Sequence, residues 1–213
     1  MDVALFFSYG VSLQTWYRSG LYEREIELYK ELTRRGIRVT LFTYGDKTDH
    51  QIQSLPSGIR LLPFYERVRP SKSKIIRACQ SLLIPWFFRS ELKSIDVYKT
   101  NQIWGGWVAV LAKWMFKKPL VLRGGYEPVT FAKLSGSAKT KQLIYKYVCY
   151  LIYRSGNVVQ MATEQDANTV HKNFGVTRDR IEIVPNWINT EIFQPVSVTQ
   201  KESNAILVVG RLD

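Results

Sequence analysis

The chain opens with Val3-Ala-Leu-Phe-Phe7, a continuous apolar run that predicts a buried strand. A polar loop leads to a helix, predicted from about Gly20 to Arg35, whose apolar residues gather on one side. Gly36 is a natural stop for that helix, and Val39–Tyr44 predicts a second strand. A strand, a helix and another strand in close succession are typical of a parallel sheet whose strands are connected by helices.

The same alternation continues along the chain. Further strands are predicted at Ile59–Phe64, Asp96–Thr100, Leu120–Leu122, Val158–Ala162 and Ile181–Val184. Later helices are predicted at Lys72–Leu92, Trp107–Phe116, Thr140–Tyr153 and Glu164–Asn173. The sequence therefore predicts an α/β fold with a Rossmann-like, doubly wound parallel sheet. This fold does not by itself name a chemistry, because unrelated reactions share it.

The last residues carry one more apolar strand, Ala205-Ile-Leu-Val-Val-Gly-Arg-Leu-Asp213. A buried parallel strand normally has strands beside it and a helix after it, and neither follows here. We therefore expect residues 1–195 to form one domain. Residues 196–213 are expected to be a linker and the first strand of a second domain.

The charge of the chain favours an anionic partner. Its 213 residues include 30 Lys and Arg against 18 Asp and Glu, a formal net charge of +12. Hydrophobic residues make up 46%, which is ample for a core and excludes wholesale disorder. Nucleic acid, an acidic lipid surface or a phosphate-bearing substrate would each suit this charge. No helix-turn-helix, RNP or zinc pattern supports nucleic-acid binding, so we expect none.

The cysteines and the termini bear on location. Cys79 and Cys149 each lie in an apolar helical context, which predicts buried thiols and a reducing compartment. The N-terminus has no signal-peptide pattern, and no apolar run approaches the ~20 residues of a membrane span. Two histidines and two separated cysteines argue against a zinc site. We expect a cytoplasmic protein that needs neither a metal nor a cofactor and that can bind peripherally to the inner face of the membrane.

Ligands of open α/β sheets bind beyond the carboxyl ends of the strands, so the loops there are the candidate sites. The first loop, Ser8–Gly20, offers small and hydroxyl residues before a helix N-terminus, where free N–H groups can bind an anion. The alternative is a structural loop with Ser19 as the cap of the next helix. The candidate substrate-binding residues of this loop are Gly10, Ser12, Trp16 and Gly20.

Two later loops add candidates. After the fourth strand, Asn101 and Gln102 can exchange hydrogen bonds with sugar hydroxyls, although the same residues suit a turn. After the fifth strand, Arg123 can bind a phosphate or carboxylate with its planar fork. Gly124 lets the backbone approach a ligand closely, and Tyr126 belongs to the same loop.

Glu25 falls on the apolar side of the first long helix. A carboxylate on a buried face needs a partner. We favour a structural ion pair with a nearby arginine, for which Arg123 is one candidate, over a substrate contact.

Several motifs resemble one subgroup of family 4 glycosyltransferases, enzymes of the two-domain GT-B fold. They are Ser12-Leu-Gln-Thr-Trp16, Gly20, Arg24-Glu25, Thr43-Tyr-Gly45, the junction Val184–Pro195 and the strand end Val209-Gly-Arg-Leu212. The resemblance covers nearly the whole chain, but only the acceptor-side half of the family's architecture.

The resemblance implies transfer of a sugar from a nucleotide-sugar donor to a glycan or lipid-linked acceptor, with retention of configuration and without a metal. In the family, the arginine that corresponds to Arg211 helps to hold the donor diphosphate. A lysine and paired glutamates that also bind the donor would lie beyond Asp213, so this chain alone should be inactive. Many members carry a histidine where this chain has Arg123-Gly124. The alternative is a non-catalytic module that binds an anionic membrane surface or glycan, or a subunit that needs a separate donor domain.

The predicted helix Lys72–Leu92 combines basic and apolar residues, and Pro85 should bend it. Seven basic residues lie between Arg67 and Lys93 against a single acid. The apolar stripe either packs on the sheet, which we favour, or lies on an anionic membrane with the cations at headgroup level. The stripe contains Ile75, Ile76, Cys79, Leu82, Leu83, Trp86 and Phe87.

Overall fold

The computed structural model describes residues 1–52, 55–125, 129, 132, 135–187, 190 and 194. Within this part of the chain, seven parallel strands form one sheet in the order β3-β2-β1-β4-β5-β6-β7. They are β1 (Asp2–Phe6), β2 (Arg38–Thr43), β3 (Ile59–Pro63), β4 (Val97–Thr100), β5 (Leu120–Gly124), β6 (Val158–Met161) and β7 (Ile181–Ile183). The predicted Rossmann-like, doubly wound parallel sheet is confirmed.

The strand order reverses beside β1, which pairs with β2 on one side and with β4 on the other. In the register, Leu5 of β1 lies between Leu41 and Lys99. A crevice for ligands forms at such a reversal, beyond the carboxyl ends of the strands. The loops after β1, β4 and β5 are therefore where a site is expected.

Helices cover both faces of the sheet, because alternate residues of β1 belong to different cores. Leu5 and Phe7 pack with α1 (Leu13–Arg18) and α2 (Tyr22–Arg34), whereas Ala4 and Phe6 belong to the core on the opposite face. The other helices are α3 (Lys74–Ser81), α4 (Ile84–Phe87), α5 (Arg89–Ser94), α6 (Gly106–Phe116), α7 (Lys139–Ser155) and α8 (Glu164–Phe174). Short 3-10 helices occur at Lys47–Gln51, Phe64–Glu66 and Arg178–Arg180.

Helix α1 lies inside the segment that the sequence indicates as a loop. Ser12 caps it, because its hydroxyl accepts the Thr15 N–H and the Thr15 hydroxyl accepts the Ser12 N–H. Ser19 ends α1 and does not cap α2, so the alternative that made Ser19 the cap of the next helix is wrong in that respect. A helix of six residues is too short to reveal itself by periodicity, which explains why the sequence does not predict it.

The predicted helix Lys72–Leu92 is also wrong in part, because the segment forms three short helices, α3 to α5. Pro85 lies in the first turn of α4, where its missing N–H costs nothing, and it cannot continue a helix from α3. Cys79 is exposed on α3, against expectation, whereas Cys149 is buried as predicted. No helix in the described ranges is long and apolar enough to cross a bilayer.

Candidate functional site

A cleft of about 250 Å³ opens at the carboxyl ends of β4 and β5. Its floor is formed by the sheet and one wall by the start of α2. The cleft is lined by Arg24, Glu25, Gln102, Arg123, Gly125, Asn186 and Trp187. Two of the predicted site residues, Gln102 and Arg123, therefore line one cavity with Glu25.

Arg123 lies in β5 with its side chain directed toward the segment that follows β7. One guanidinium nitrogen donates to the Val184 carbonyl at 3.4 Å, and another donates to Asn186 Oδ1 at 3.1 Å. The backbone N–H of Arg123 donates to Thr100 Oγ1 at 3.0 Å, which ties β5 to the end of β4. A guanidinium has five N–H donors, so the fork keeps donors for an anion in the cleft.

Lys99 is an ionisable residue close to this site, and no motif in the sequence singles it out. It lies in β4 beside Leu5, on the same face of the sheet as α2. Burial, reinforced by the positive charge of Arg123, lowers the pKa of Lys99 to about 8, although the carboxylate of Glu25 opposes the shift. A lysine inside a strand has no motif around it, so only the fold reveals that its charge interacts with those of Arg123 and Glu25.

Glu25 forms its ion pair with Arg24, at 2.6 Å, and its side chain is 19% exposed. The predicted ion pair of Glu25 with a nearby arginine is present, and its partner is Arg24. Among the described residues, Glu25 makes no salt bridge with Arg123, so the specific pairing of those two residues is wrong. Both side chains instead face the same cleft.

Gln102 is held by the loop after β5. Its Oε1 accepts the Gly125 N–H at 3.1 Å, and a Cβ at Gly125 would come within 3.2 Å of Gln102 Nε2. A Cβ at Gly124 would instead meet Met161 at 2.9 Å, so that glycine serves close packing of β5 on β6. Asn101 is buried, and its backbone N–H donates to the Phe6 carbonyl. Tyr126 and Arg211 lie outside the described residues.

The loop after β1 is joined to the loop after β4. The Tyr9 N–H donates to the Trp104 carbonyl at 3.1 Å, and a Cβ at Gly105 would lie 2.5 Å from Tyr9 N. Gly105, with φ of 99°, is therefore required for this close approach. Gly10 and Gly20 also adopt positive φ, at the start of the loop and between α1 and α2.

The other two predicted residues of the first loop have structural contacts. Ser12 caps α1, as described above. Trp16 is 2% exposed and stacks on Phe7 at a ring distance of 4.0 Å, so its side chain belongs to the core under α1.

Asp49 is the buried carboxylate that fixes the first loop, and the sequence analysis does not identify it. Its oxygens accept the N–H groups of Leu13 (3.1 Å) and Gln14 (2.9 Å) at the start of α1. They also accept the Thr43 hydroxyl at 2.6 Å. A Cβ at Gly45 would lie 1.9 Å from Asp49 Oδ2, which explains the glycine of Thr43-Tyr-Gly45.

Lys99 should make stability depend on pH. The pKa of Lys99 in the folded protein, about 8, lies below its ordinary value of 10.5. Between these two pH values the unfolded chain binds more protons than the folded chain, so the free energy of unfolding rises with pH. We expect the wild type to gain about 1–2 kcal/mol between pH 7.5 and 9.5 relative to Lys99→Met. Urea unfolding measures this difference. Lys93→Met, at an exposed lysine of α5, is the matched control, and parallel profiles for wild type and Lys99→Met would contradict the prediction.

Comparison with known families gives a match over most of the sequence. The family described as Glycosyltransferase Family 4 matches residues 25–192, well over half of the chain. No curated protein matches the sequence significantly.

Solved structures match the fold at low identity. HepE from Anabaena, in complex with UDP and glucose, is 15% identical with a TM-score of 0.57, over 92% of this chain and 47% of HepE. A glycosyltransferase from Rickettsia africae is 14% identical with a TM-score of 0.55, over 89% and 44%. A UDP-GlcNAc 2-epimerase from Methanocaldococcus jannaschii is 13% identical with a TM-score of 0.54, over 87% and 46%. The chain spans less than half the length of these structures, and their likeness shows the fold alone.

Proposed function

Since this chain belongs to glycosyltransferase family 4, we propose that it forms the acceptor-binding half of an enzyme that transfers a sugar from a nucleotide-sugar donor to a glycan or lipid-linked acceptor. The observation that carries the proposal is the cleft lined by Arg123 and by the neutral hydrogen-bonding groups of Gln102 and Asn186. Lys99, in the strand beside Arg123, adds a second positive charge close to this cleft. The two cations suit a phosphate or carboxylate of the substrate, and Gln102 suits a sugar hydroxyl. The UDP and glucose in the HepE structure support a nucleotide-sugar donor.

The proposed reaction moves one glycosyl group. The bond between the sugar C1 and the diphosphate oxygen breaks, the acceptor oxygen bonds to C1, and the acceptor proton leaves to a phosphate oxygen or to solvent. The family resemblance leads us to propose retention of configuration without a metal. Arg123 stands where many members carry a histidine, so we propose that it contacts an anionic part of the acceptor or the donor.

We propose that residues 1–195 are the acceptor-binding domain, with residues 196–213 as a linker and the first strand of a donor-binding domain. Residues 195–213 lie outside the described part of the chain. On this proposal Arg211 contacts the donor diphosphate, and further donor contacts come from a domain that these 213 residues do not supply. We place the protein in the cytoplasm, at the inner membrane face when the acceptor is lipid-linked.

The test is a transfer assay on two forms of the protein. The 213-residue chain should turn over no nucleotide sugar above background hydrolysis, because Arg211 alone cannot hold a diphosphate tightly. The same chain joined to a donor-binding domain should transfer sugar to an acceptor. Turnover by the 213 residues alone would contradict the acceptor-half assignment. Absence of transfer in both forms, with binding of a glycan intact, would favour a non-catalytic module.

A further inference from the structure

Helix α7 carries two apolar stripes, and only one of them is in the core. The inward stripe includes Cys149, Ile152 and Tyr153, which are 0–1% exposed. The other stripe faces solvent, and at about 100° per residue its centre lies roughly opposite the first. It consists of Leu143 (68% exposed), Ile144 (60%), Tyr147 (66%), Tyr150 (40%) and Leu151 (42%). A helix that is apolar on both sides normally has something covering each side.

The segment from α3 to α4 exposes apolar side chains in the same way. Ile84 and Phe88 are buried in the core and hold this segment against the sheet. The stripe that the sequence analysis assigns to the sheet is instead exposed, so the favoured packing interpretation is wrong. Its exposed members are Ile75 (77%), Ile76 (54%), Leu82 (45%), Leu83 (47%), Trp86 (66%) and Phe87 (43%).

A row of aromatic rings connects these two helical regions. Tyr145 of α7 packs on Trp104 at a ring distance of 4.5 Å, and Trp104 packs on Trp107 at 5.1 Å. The Trp107 indole N–H then donates to Ser81 Oγ of α3 at 2.9 Å. Because Trp104 lies in the loop after β4, this row of rings runs beside the end of the sheet where the cleft opens.

The charge of both regions is one-sided. Helix α7 contains Lys139, Lys141, Lys146 and Arg154 and has no acidic residue. In the segment from Arg67 to Lys93 the single acid, Glu91, is paired with Arg67. Within these two described segments, cations thus accompany the exposed apolar residues and Glu91 is the single acid. Such a combination matches the apolar interior and anionic headgroups of a lipid surface.

We infer that the exposed stripes of α3–α4 and α7 together form a membrane-docking surface for an anionic lipid bilayer. A second copy of the chain is a poorer occupant, because a symmetric contact through α7 would bring like charges together. Docking through both regions would hold the end of the sheet that carries the cleft close to the lipid headgroups. The inference does not depend on the transfer reaction.

The test is co-sedimentation of the protein with vesicles of phosphatidylcholine containing about 30% phosphatidylglycerol. We expect binding at low salt, loss of binding at 0.5 M salt because the charges are screened, and no binding to pure phosphatidylcholine. The double substitution Lys141→Glu and Lys146→Glu on α7 should weaken binding more than about tenfold, and so should Leu143→Ser with Tyr147→Ser. Replacing Lys72, Lys74 and Arg77 by glutamate should do the same for the α3 side.

Matched controls lie on exposed positions away from this surface. Arg18→Glu with Arg60→Glu reverses two exposed charges, and Tyr17→Ser removes an exposed aromatic ring. These variants should bind vesicles as the wild type does. Failure of the wild type to sediment at low salt would overturn the inference. So would equal losses in the control and α7 variants, or a protein dimer that dissociates on Tyr147→Ser without any vesicle binding.

Discussion

Replacing Arg123 with alanine should lower the transfer rate of the active enzyme more than about a hundredfold, with little change in melting temperature. The guanidinium lies in the cleft with donors to spare beyond its bonds to Val184 and Asn186. Removing one preorganised donor to a charged group commonly costs 10²–10³ in rate. Arg123→Lys should also lower the transfer rate, although lysine keeps the positive charge, because lysine lacks the planar fork of the guanidinium. Transfer kinetics and thermal unfolding measure the two quantities.

Asn186→Ala separates this role from a structural one. Arg123 also anchors the segment after β7, and Asn186→Ala removes one of those anchors without touching the charge. If Arg123 only positioned that segment, Asn186→Ala would reproduce much of the loss. On our account the loss of activity in Asn186→Ala is far smaller than in Arg123→Ala, whereas Arg34→Ala, at an exposed arginine of α2 outside the cleft, keeps the activity of the wild type. A normal rate in Arg123→Ala would end the assignment.

Asp49→Ala should destabilise the fold by about 3 kcal/mol or more, because it leaves three donors without their acceptor. Two of these donors are the first N–H groups of α1, and the third is the Thr43 hydroxyl. Asp49 is 1% exposed, so water cannot replace the lost bonds without opening the loop. Chemical unfolding monitored by circular dichroism measures the change.

Asp46→Ala is the matched control for Asp49→Ala. Asp46 lies three residues earlier, is exposed, and its side chain accepts the Thr48 N–H as a helix cap. Loss of such a cap costs about 1 kcal/mol. Equal destabilisation by the two substitutions would show that Asp49 is no more than another cap. Gly45→Ala should destabilise as well, since its Cβ collides with a carboxylate that three hydrogen bonds hold in place.

The sheet was predictable from the sequence because its signals are local. The apolar run Val3–Phe7 and the strand predicted at Val39–Tyr44 both lie within one residue of the observed strand bounds. Helix α2 is marked in the sequence by apolar residues at helical spacing and by Gly36 after its end. The φ of Gly36, 76°, suits a residue without a side chain. Periodicity of this kind depends on neighbours in sequence, so it survives without knowledge of the tertiary fold.

The cleft and the docking surface were less predictable because they depend on residues distant in sequence. Lys99 is a single cation in a strand, and its low pKa arises from burial and from Arg123, 24 positions later. Asp49 acts on Leu13 and Gln14, about 35 positions earlier. The stripe of α3–α4 has the spacing of a core face, and spacing cannot tell whether a sheet or a membrane covers it.

The central claim is that Arg123, with the charge of Lys99 close to it, makes the cleft a binding site for the anionic group of a substrate. NMR of ¹³C-labelled lysine, with Lys99→Met to assign the signal, can follow Lys99 during a pH titration with and without pyrophosphate. We predict a pKa near 8 without the anion, a rise when pyrophosphate binds, and loss of that rise in Arg123→Ala, because the bound anion stabilises the charged lysine. The same Lys99 pKa with and without saturating pyrophosphate would contradict the account.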